Sequence, residues 1–200
     1  MTPLILRVAI KGKHAVVVLG GTVKTFIEKS IAENNVKNIV GVRGVVDEIT
    51  VEPTTLGKRS DAEIAEAATR ALKLNVMIPD ESIKIVVEKG YVTLSGTVEW
   101  QYQKNTATSV VGNIWGVKAV VNTIVVKPSV GIDARNVKEQ IMKEFERHAR
   151  IDASRIQVEV AGNKVMLKGS VRNFDEMEEA ENAAWSLQGV TEVTNALTIT

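Results

Sequence analysis

The chain has 200 residues, enough for one to three small domains, with 44% hydrophobic and 24% charged residues, a balance too apolar for disorder. Its 25 basic and 24 acidic residues leave a net charge of +1, without the basic excess of a dedicated nucleic-acid binder. It contains no cysteine and only two histidines, His14 and His148, which excludes disulfides, thiolate metal sites, Cys nucleophiles and His-rich zinc chemistry.

In chain order, the first predicted element is a strand over Leu4–Ile10, joined through the turn Lys11-Gly12-Lys13-His14 to an alternating strand ending at Val23. A helix follows with the apolar stripe Ala32, Val36 and Ile39. Gly41 is placed as its C-cap, and a strand then runs through Val45, Asp47, Ile49 and Val51. After the linker 52–60, rich in turn-forming residues, comes a helix with the stripe Ile64, Ala68 and Leu72, capped by Asp61. Strands Ile83–Val87 and Val92–Val98 form a hairpin about Glu88-Lys89-Gly90. A helix with Ala107, Val111 and Ile114 leads to Gly116 and to a strand over Val120–Val126. The linker 127–132 precedes a repetition of the whole pattern: a helix with Val137, Ile141 and Phe145 capped by Asp133, then the strand Ile156–Val160. The turn Ala161-Gly162-Asn163 leads to the strand Val165–Val171, a helix with Ala180, Ala184 and Leu187, Gly189, and the strand Val193–Ile199. No stretch approaches the roughly 18 apolar residues that span a bilayer. The N-terminus lacks a basic n-region and a long apolar core, so the expectation is a cytoplasmic protein as written, or a periplasmic one if a leader has been removed.

The segments 20–52, 95–127 and 168–200 align without gaps, at offsets of 75 and 73 residues. Seven columns in or beside them are identical: Leu19/Leu94/Leu167, Gly21/Gly96/Gly169, Val23/Val98/Val171, Ala32/Ala107/Ala180, Gly41/Gly116/Gly189, Val42/Val117/Val190 and Val45/Val120/Val193. The glycine inside the strand predicts a bulge or a close backbone approach, and the alanine lets the helix sit close to a sheet. The last two strands of each unit are linked through a helix, so they are expected to lie parallel with a right-handed crossover. The predicted fold is α+β. It comprises three tandem helix-strand-strand-helix-strand modules, each a three-stranded mixed sheet covered by helices, over residues 1–53, 60–128 and 133–200. The first module lacks its leading helix, which leaves part of its sheet in need of cover.

The stretch Val92-Thr93-Leu94-Ser95-Gly96-Thr97-Val98 with Gly116-Val117-Lys118-Ala119-Val120-Val121-Asn122, and its counterparts at Val17–Val23 with Gly41–Asp47 and Val165–Val171 with Gly189–Asn195, resembles the BON domain family (bacterial osmotic-protection and nodulation). The resemblance spans nearly the whole chain as three tandem copies. It implies a non-enzymatic protein associated with the bacterial envelope and osmotic stress, with binding to phospholipid surfaces, or an accessory module of secretion and channel proteins.

The residues themselves offer no catalytic constellation, cofactor motif or metal cluster. Gly41-Val42-Arg43-Gly44 matches a Gly-x-x-Gly RNA-binding loop, but it joins a helix to a strand, where a cap and turn belong. The acidic run Asp175, Glu176, Glu178, Glu179 and Glu181 reads as a solvated first helical turn. Opposite the Val137-Ile141-Phe145 stripe lie Gln140, Lys143, Arg147 and Arg150, a basic stripe able to rest on anionic headgroups, to which Trp185 is added as an interfacial aromatic. Trp100, Tyr102 and Trp115 flank one helix of the second module and are assigned to an interface. The expected partner is an anionic phospholipid membrane surface or another protein, with no cofactor and no nucleic acid. A multivalent protein-interaction scaffold is the alternative.

Overall fold

The computed structural model describes residues 5–11, 14–53, 59–128, 134–148 and 150–200, and side chains from Val16 onward within these ranges except at 134–135. The expectations placed on Leu4, Gly12, Lys13, Asp133 and the linker segments 54–58 and 129–132 lie outside the described residues. The chain divides into two compact units. One comprises residues 1–7, 18–34 and 46–126, the other 8–17, 35–45 and 127–200.

The first module runs β1 (Ile5–Lys11), β2 (His14–Val23), α1 (Phe26–Lys37) and β3 (Val42–Val51). The second is α2 (Asp61–Leu74), β4 (Ile83–Glu88), β5 (Tyr91–Val98), α3 (Gln101–Gly112), β6 (Ala119–Asn122) and β7 (Val125–Val126). The third is α4 (Ala134–Arg147), β8 (Ile156–Ala161), β9 (Lys164–Val171), α5 (Phe174–Trp185) and β10 (Glu192–Ile199). Sheet orders are β1-β2-β3, β4-β5-β6 and β10-β9-β8, so the strand bearing Leu-x-Gly-x-Val is central each time. β4 and β8 pair antiparallel to that strand, whereas β6 and β10 pair parallel to it, as a helix-linked return requires.

The cores follow the two periodicities. Val92, Leu94 and Val98 alternate inward on β5 and are buried, as are Ile64, Ala68 and Leu72 of α2 and Ala107 and Val111 of α3. Val165, Leu167 and Val171 of β9 meet Val137, Ile141 and Phe145 of α4 and Ala180 and Ala184 of α5. The strand glycines sit where backbones touch. A Cβ on Gly96 (φ 131°) would stand 2.0 Å from the Ser82 carbonyl oxygen, and one on Gly169 (φ 125°) 2.1 Å from that of Arg155. Only a residue without a side chain fits there.

Several local readings are corrected. The helices end at Lys37, Gly112 and Trp185, so Ile39, Ile114 and Leu187 lie beyond them, and Ile39 is exposed. Gly41, Gly116 and Gly189 are therefore not C-caps. Each is the third residue of a following turn, closed by Val42 N–H to Ile39 O, Val117 N–H to Ile114 O and Val190 N–H to Leu187 O. Their positive φ values of 88°, 100° and 93° are what that turn position demands. The cap of α2 is Ser60, not Asp61. Ser60 Oγ accepts from Glu63 N–H, and the Glu63 carboxylate accepts from Ser60 N–H. Asp61 instead grips the β4–β5 turn, accepting from the amides of Lys89 (2.7 Å) and Gly90 (2.9 Å).

The strand expected over Val120–Val126 is broken into β6 and β7 at Thr123 and Ile124, beside the place where Asn122 Oδ1 takes the Ile124 amide at 3.0 Å. The same bond recurs in every module. Asp47 Oδ1 takes Ile49 N–H, and Asn195 Oδ1 takes Leu197 N–H. Each of these side chains also reaches its module's preceding helix. Asp47 pairs with Lys29 at 2.5 Å, Asn122 Nδ2 donates to Lys104 O and Thr108 Oγ1, and Asn195 Nδ2 donates to Glu181. This latch ties the helix to the returning strand. Asn122→Ala removes three hydrogen bonds from a partly buried site, and a loss of about 2 kcal/mol is expected in urea unfolding. An unchanged midpoint would show the latch to be idle.

Candidate functional site

The members of the basic stripe expected on α4 are placed as follows. Arg147 bridges to Glu144 at 2.5 Å. Arg150 lies past the helix end in a turn, and pairs with Asp175 at 2.8 Å and Glu179 at 3.8 Å. Lys143 is exposed and forms no ion pair among the described residues. The acidic run of α5 is correspondingly not a solvated turn. His148 Nδ1 lies 3.2 Å from Glu179, and Glu176 is buried. Its Oε1 accepts from Asp152 N–H, and its Oε2 accepts from Arg172 N–H and Nε. Arg172 Nη2 in turn donates to the carbonyl of Arg150. Burial pushes the Glu176 carboxyl up, but the Arg172 guanidinium and the two amides outweigh it and hold the group below its ordinary 4.5. A cleft of about 390 Å³ lies over this cluster, lined by Arg150, Arg172, Asn173, Asp175 and Thr200 among others. The Glu176 oxygens facing it are engaged by donors, so the cluster pins the start of α5 to the chain after α4 and offers no base for catalysis.

The aromatic residues are placed as follows. Trp185 is the last residue of α5 and packs against the third module's core. Trp100 precedes α3 and its ring centroid is 6.1 Å from that of Tyr102, with the planes tilted by 36°. Tyr102 is exposed. Trp115 lies in the turn after α3, and its Nε1 is enclosed with no hydrogen-bond partner. None of these rings is brought together with Lys143, Arg147 or Arg150 by a contact seen among the described residues.

A different place gathers cations. A cleft of about 1100 Å³ at the tip of the second module is lined by Arg59, Ser60, Asp61, Lys89, Gly90, Tyr91, Gly116, Lys118 and Ala119, with Lys29 and Ile49–Pro53 on its other wall. Two glycines let basic stems lie on its floor. A Cβ on Gly90 would meet the Lys118 stem at 3.3 Å, and one on Gly116 would meet Arg59 Cβ at 3.3 Å. The acids here are partly spent, since Asp61 is held by the Lys89 and Gly90 amides. Lys29 is likewise committed to Asp47 and the Ile49 carbonyl. Arg59, Lys89 and Lys118 remain facing the cleft, with Glu52 as the acid opposite and the exposed Glu88 3.8 Å from Lys89. Sequence reasoning missed this group because its members are spread over 60 residues. The one available signal was that Gly90 and Gly116 each adjoin a basic residue within two positions.

Among the described residues no group of His, Asp or Glu could hold a metal ion, and no helix is long and apolar enough to cross a membrane.

Comparison with known proteins adds the family. A curated relative, osmotically-inducible protein Y of Escherichia coli (strain K12), is 29% identical over 124 residues, which is 60% of this chain and 62% of that protein. The match thus spans less than two thirds of the relative's length. Among solved structures, CdsD, a structural protein of the type III secretion system of Chlamydia trachomatis, is matched at 14% identity over 98% of this chain and 85% of that one, with a TM-score of 0.30. Its C-terminal domain is matched at 13% identity over 98% and 90%, again with a TM-score of 0.30. Likeness that slight says nothing about function. The BON domain family matches three times, over residues 6–53, 60–128 and 133–200, so that nearly all of the chain is accounted for and the chain belongs to the BON domain family.

Proposed function

We propose that this is a non-catalytic bacterial stress- and envelope-associated protein that engages anionic phospholipid surfaces. Family membership and an osmotically inducible relative support the setting, and favour the envelope over the cytoplasm. The observation that carries the lipid reading is the group Arg59, Lys89 and Lys118 around the second module's cleft. Three cations near an anionic bilayer contribute on the order of 1 kcal/mol each, or roughly a hundredfold in partitioning. The contact is electrostatic and shallow, because these cations are not accompanied by a row of large apolar side chains on one helix.

Co-flotation of the full chain with vesicles tests this. Binding is expected to phosphatidylglycerol-containing vesicles and not to pure phosphatidylcholine, and to fade as salt shortens the screening length. The double variant Lys89→Glu/Lys118→Glu should lose it, whereas Lys143→Glu/Arg147→Glu should keep it. Loss in the second pair alone would move the site to α4, and no dependence on anionic lipid would reject the reading. A multivalent protein scaffold is the second reading, favoured by exposed apolar residues on the second module's sheet. Recovery of one stoichiometric partner, undiminished by Lys118→Glu, would select it.

A further inference from the structure

β4 is an edge strand, and no hydrogen bond from other described residues reaches the outer edge of its backbone. Its side chains alternate. Ile83, Ile85 and Val87 turn towards α2, while Lys84, Val86 and Glu88 are exposed on the face away from the helices. On that open face the register places Thr93 beside Val86 and Val121 beside Thr93, and Tyr91 beside Glu88. Val86, Tyr91, Val121 and Val125 are all more than half exposed, so the second module carries an uncovered apolar band.

We propose that a second copy of this chain covers this edge, the two β4 strands pairing antiparallel about a two-fold axis at Val86. This does not depend on the lipid reading. The support is charge complementarity. Antiparallel pairing centred on Val86 sets Lys84 opposite Glu88 of the second copy and Glu88 opposite its Lys84, with Val86 against Val86 between them. The two sheets then join into one of six principal strands, and the row Val121-Thr93-Val86 continues unbroken into its symmetry mate. Among the described residues the one competing ion pair, Glu88 with Lys89 at 3.8 Å, is more than three-quarters exposed on both sides and weak. The third module shows the opposite design at the matching place. Centring β8 on Glu159 would bring two carboxylates together. Glu159 is tied to Lys168 at 2.7 Å, and Lys164 to Glu192 at 2.5 Å, so its open face is polar and closed.

Sedimentation equilibrium of the full chain over a concentration series tests this, and a monomer–dimer equilibrium is expected. Lys84→Glu or Glu88→Lys each create two like-charged cross-strand pairs and should weaken the dimer about tenfold or more. The double swap Lys84→Glu/Glu88→Lys should restore it. Because the chain has no cysteine, Val86→Cys should give a disulfide-linked dimer on mild oxidation, and Thr93→Cys should not. A monomer at every concentration, or a dimer indifferent to the charge reversals, overturns the proposal. Cross-linking through Thr93→Cys but not Val86→Cys overturns it as well.

Discussion

Replacing Gly169 by alanine is expected to unfold the β8–β9–β10 sheet, with a loss of about 4 kcal/mol or more. Two costs combine. At φ 125° an L side chain is strained, and the added methyl would stand 2.1 Å from the Arg155 carbonyl oxygen, closer than any non-bonded contact tolerates. Relief requires β8 to move away from β9, which breaks the pairing Ile156↔Gly169 and opens the core at Ile156. Gly162→Ala is the control in the same module. It also has a positive φ, 58°, but nothing lies within 4 Å of the added atom, so about 1 kcal/mol is expected from conformation alone. Amide hydrogen exchange separates the outcomes. Protection should vanish across β8–β10 in Gly169→Ala while β4–β6 keep theirs, and should persist everywhere in Gly162→Ala. Equal stability of the two variants would show that the close approach is absent.

Glu176→Ala is expected to cost about 3 kcal/mol, because it strands the amides of Asp152 and Arg172 and removes the partner of a guanidinium. The carboxyl's pKa is depressed in the folded protein, so its contribution is present above the unfolded value of 4.5 and is lost as pH falls through the folded one. Thermal unfolding should therefore show the third module losing stability below about pH 4.5, with a shallower slope in Glu176→Gln, which has no proton to take up there. An acid slope unaltered by that substitution would place the titration elsewhere.

Much of the architecture was legible because its determinants are local and repeated. Leu94 and its counterparts alternate into a core, Ala107 and Ala180 sit where helix meets sheet, and Gly96 and Gly169 answer to one carbonyl each. What escaped was whatever a distant backbone decides. Ser60 and Asp61 are equally good caps on paper. Glu63 at the third helical position and the amides of Lys89 and Gly90, 28 and 29 residues on, assign one to the helix and the other to the hairpin. Val120–Val126 reads as one strand on its alternation, but its ladder to β5 is interrupted at Thr123 and Ile124. Glu176 looks like any acid in a first turn, and its burial depends on Asp152, 24 residues earlier. Arg150 fits the spacing of α4 but falls past its end, where α5 supplies its acids. The cationic cleft has no sequence period at all, since hairpin tip, turn and linker each contribute one member.

The latch between returning strand and helix bears on how a chain of near-copies sorts its own pieces. Tandem homologous modules risk exchanging strands while they fold. Here the strand residue is nearly constant, Asp47, Asn122 or Asn195, but what it meets on the helix differs: an ammonium at Lys29, a hydroxyl at Thr108, a carboxylate at Glu181. Laid on α5, the strand carrying Asp47 would set one carboxylate against another. Laid on α1, the strand carrying Asn195 would leave the Lys29 charge without its counter-ion. The residue thus matches α1 to an aspartate-bearing strand and α3 and α5 to an asparagine-bearing one, a difference that sets the first module's returning strand apart from the other two.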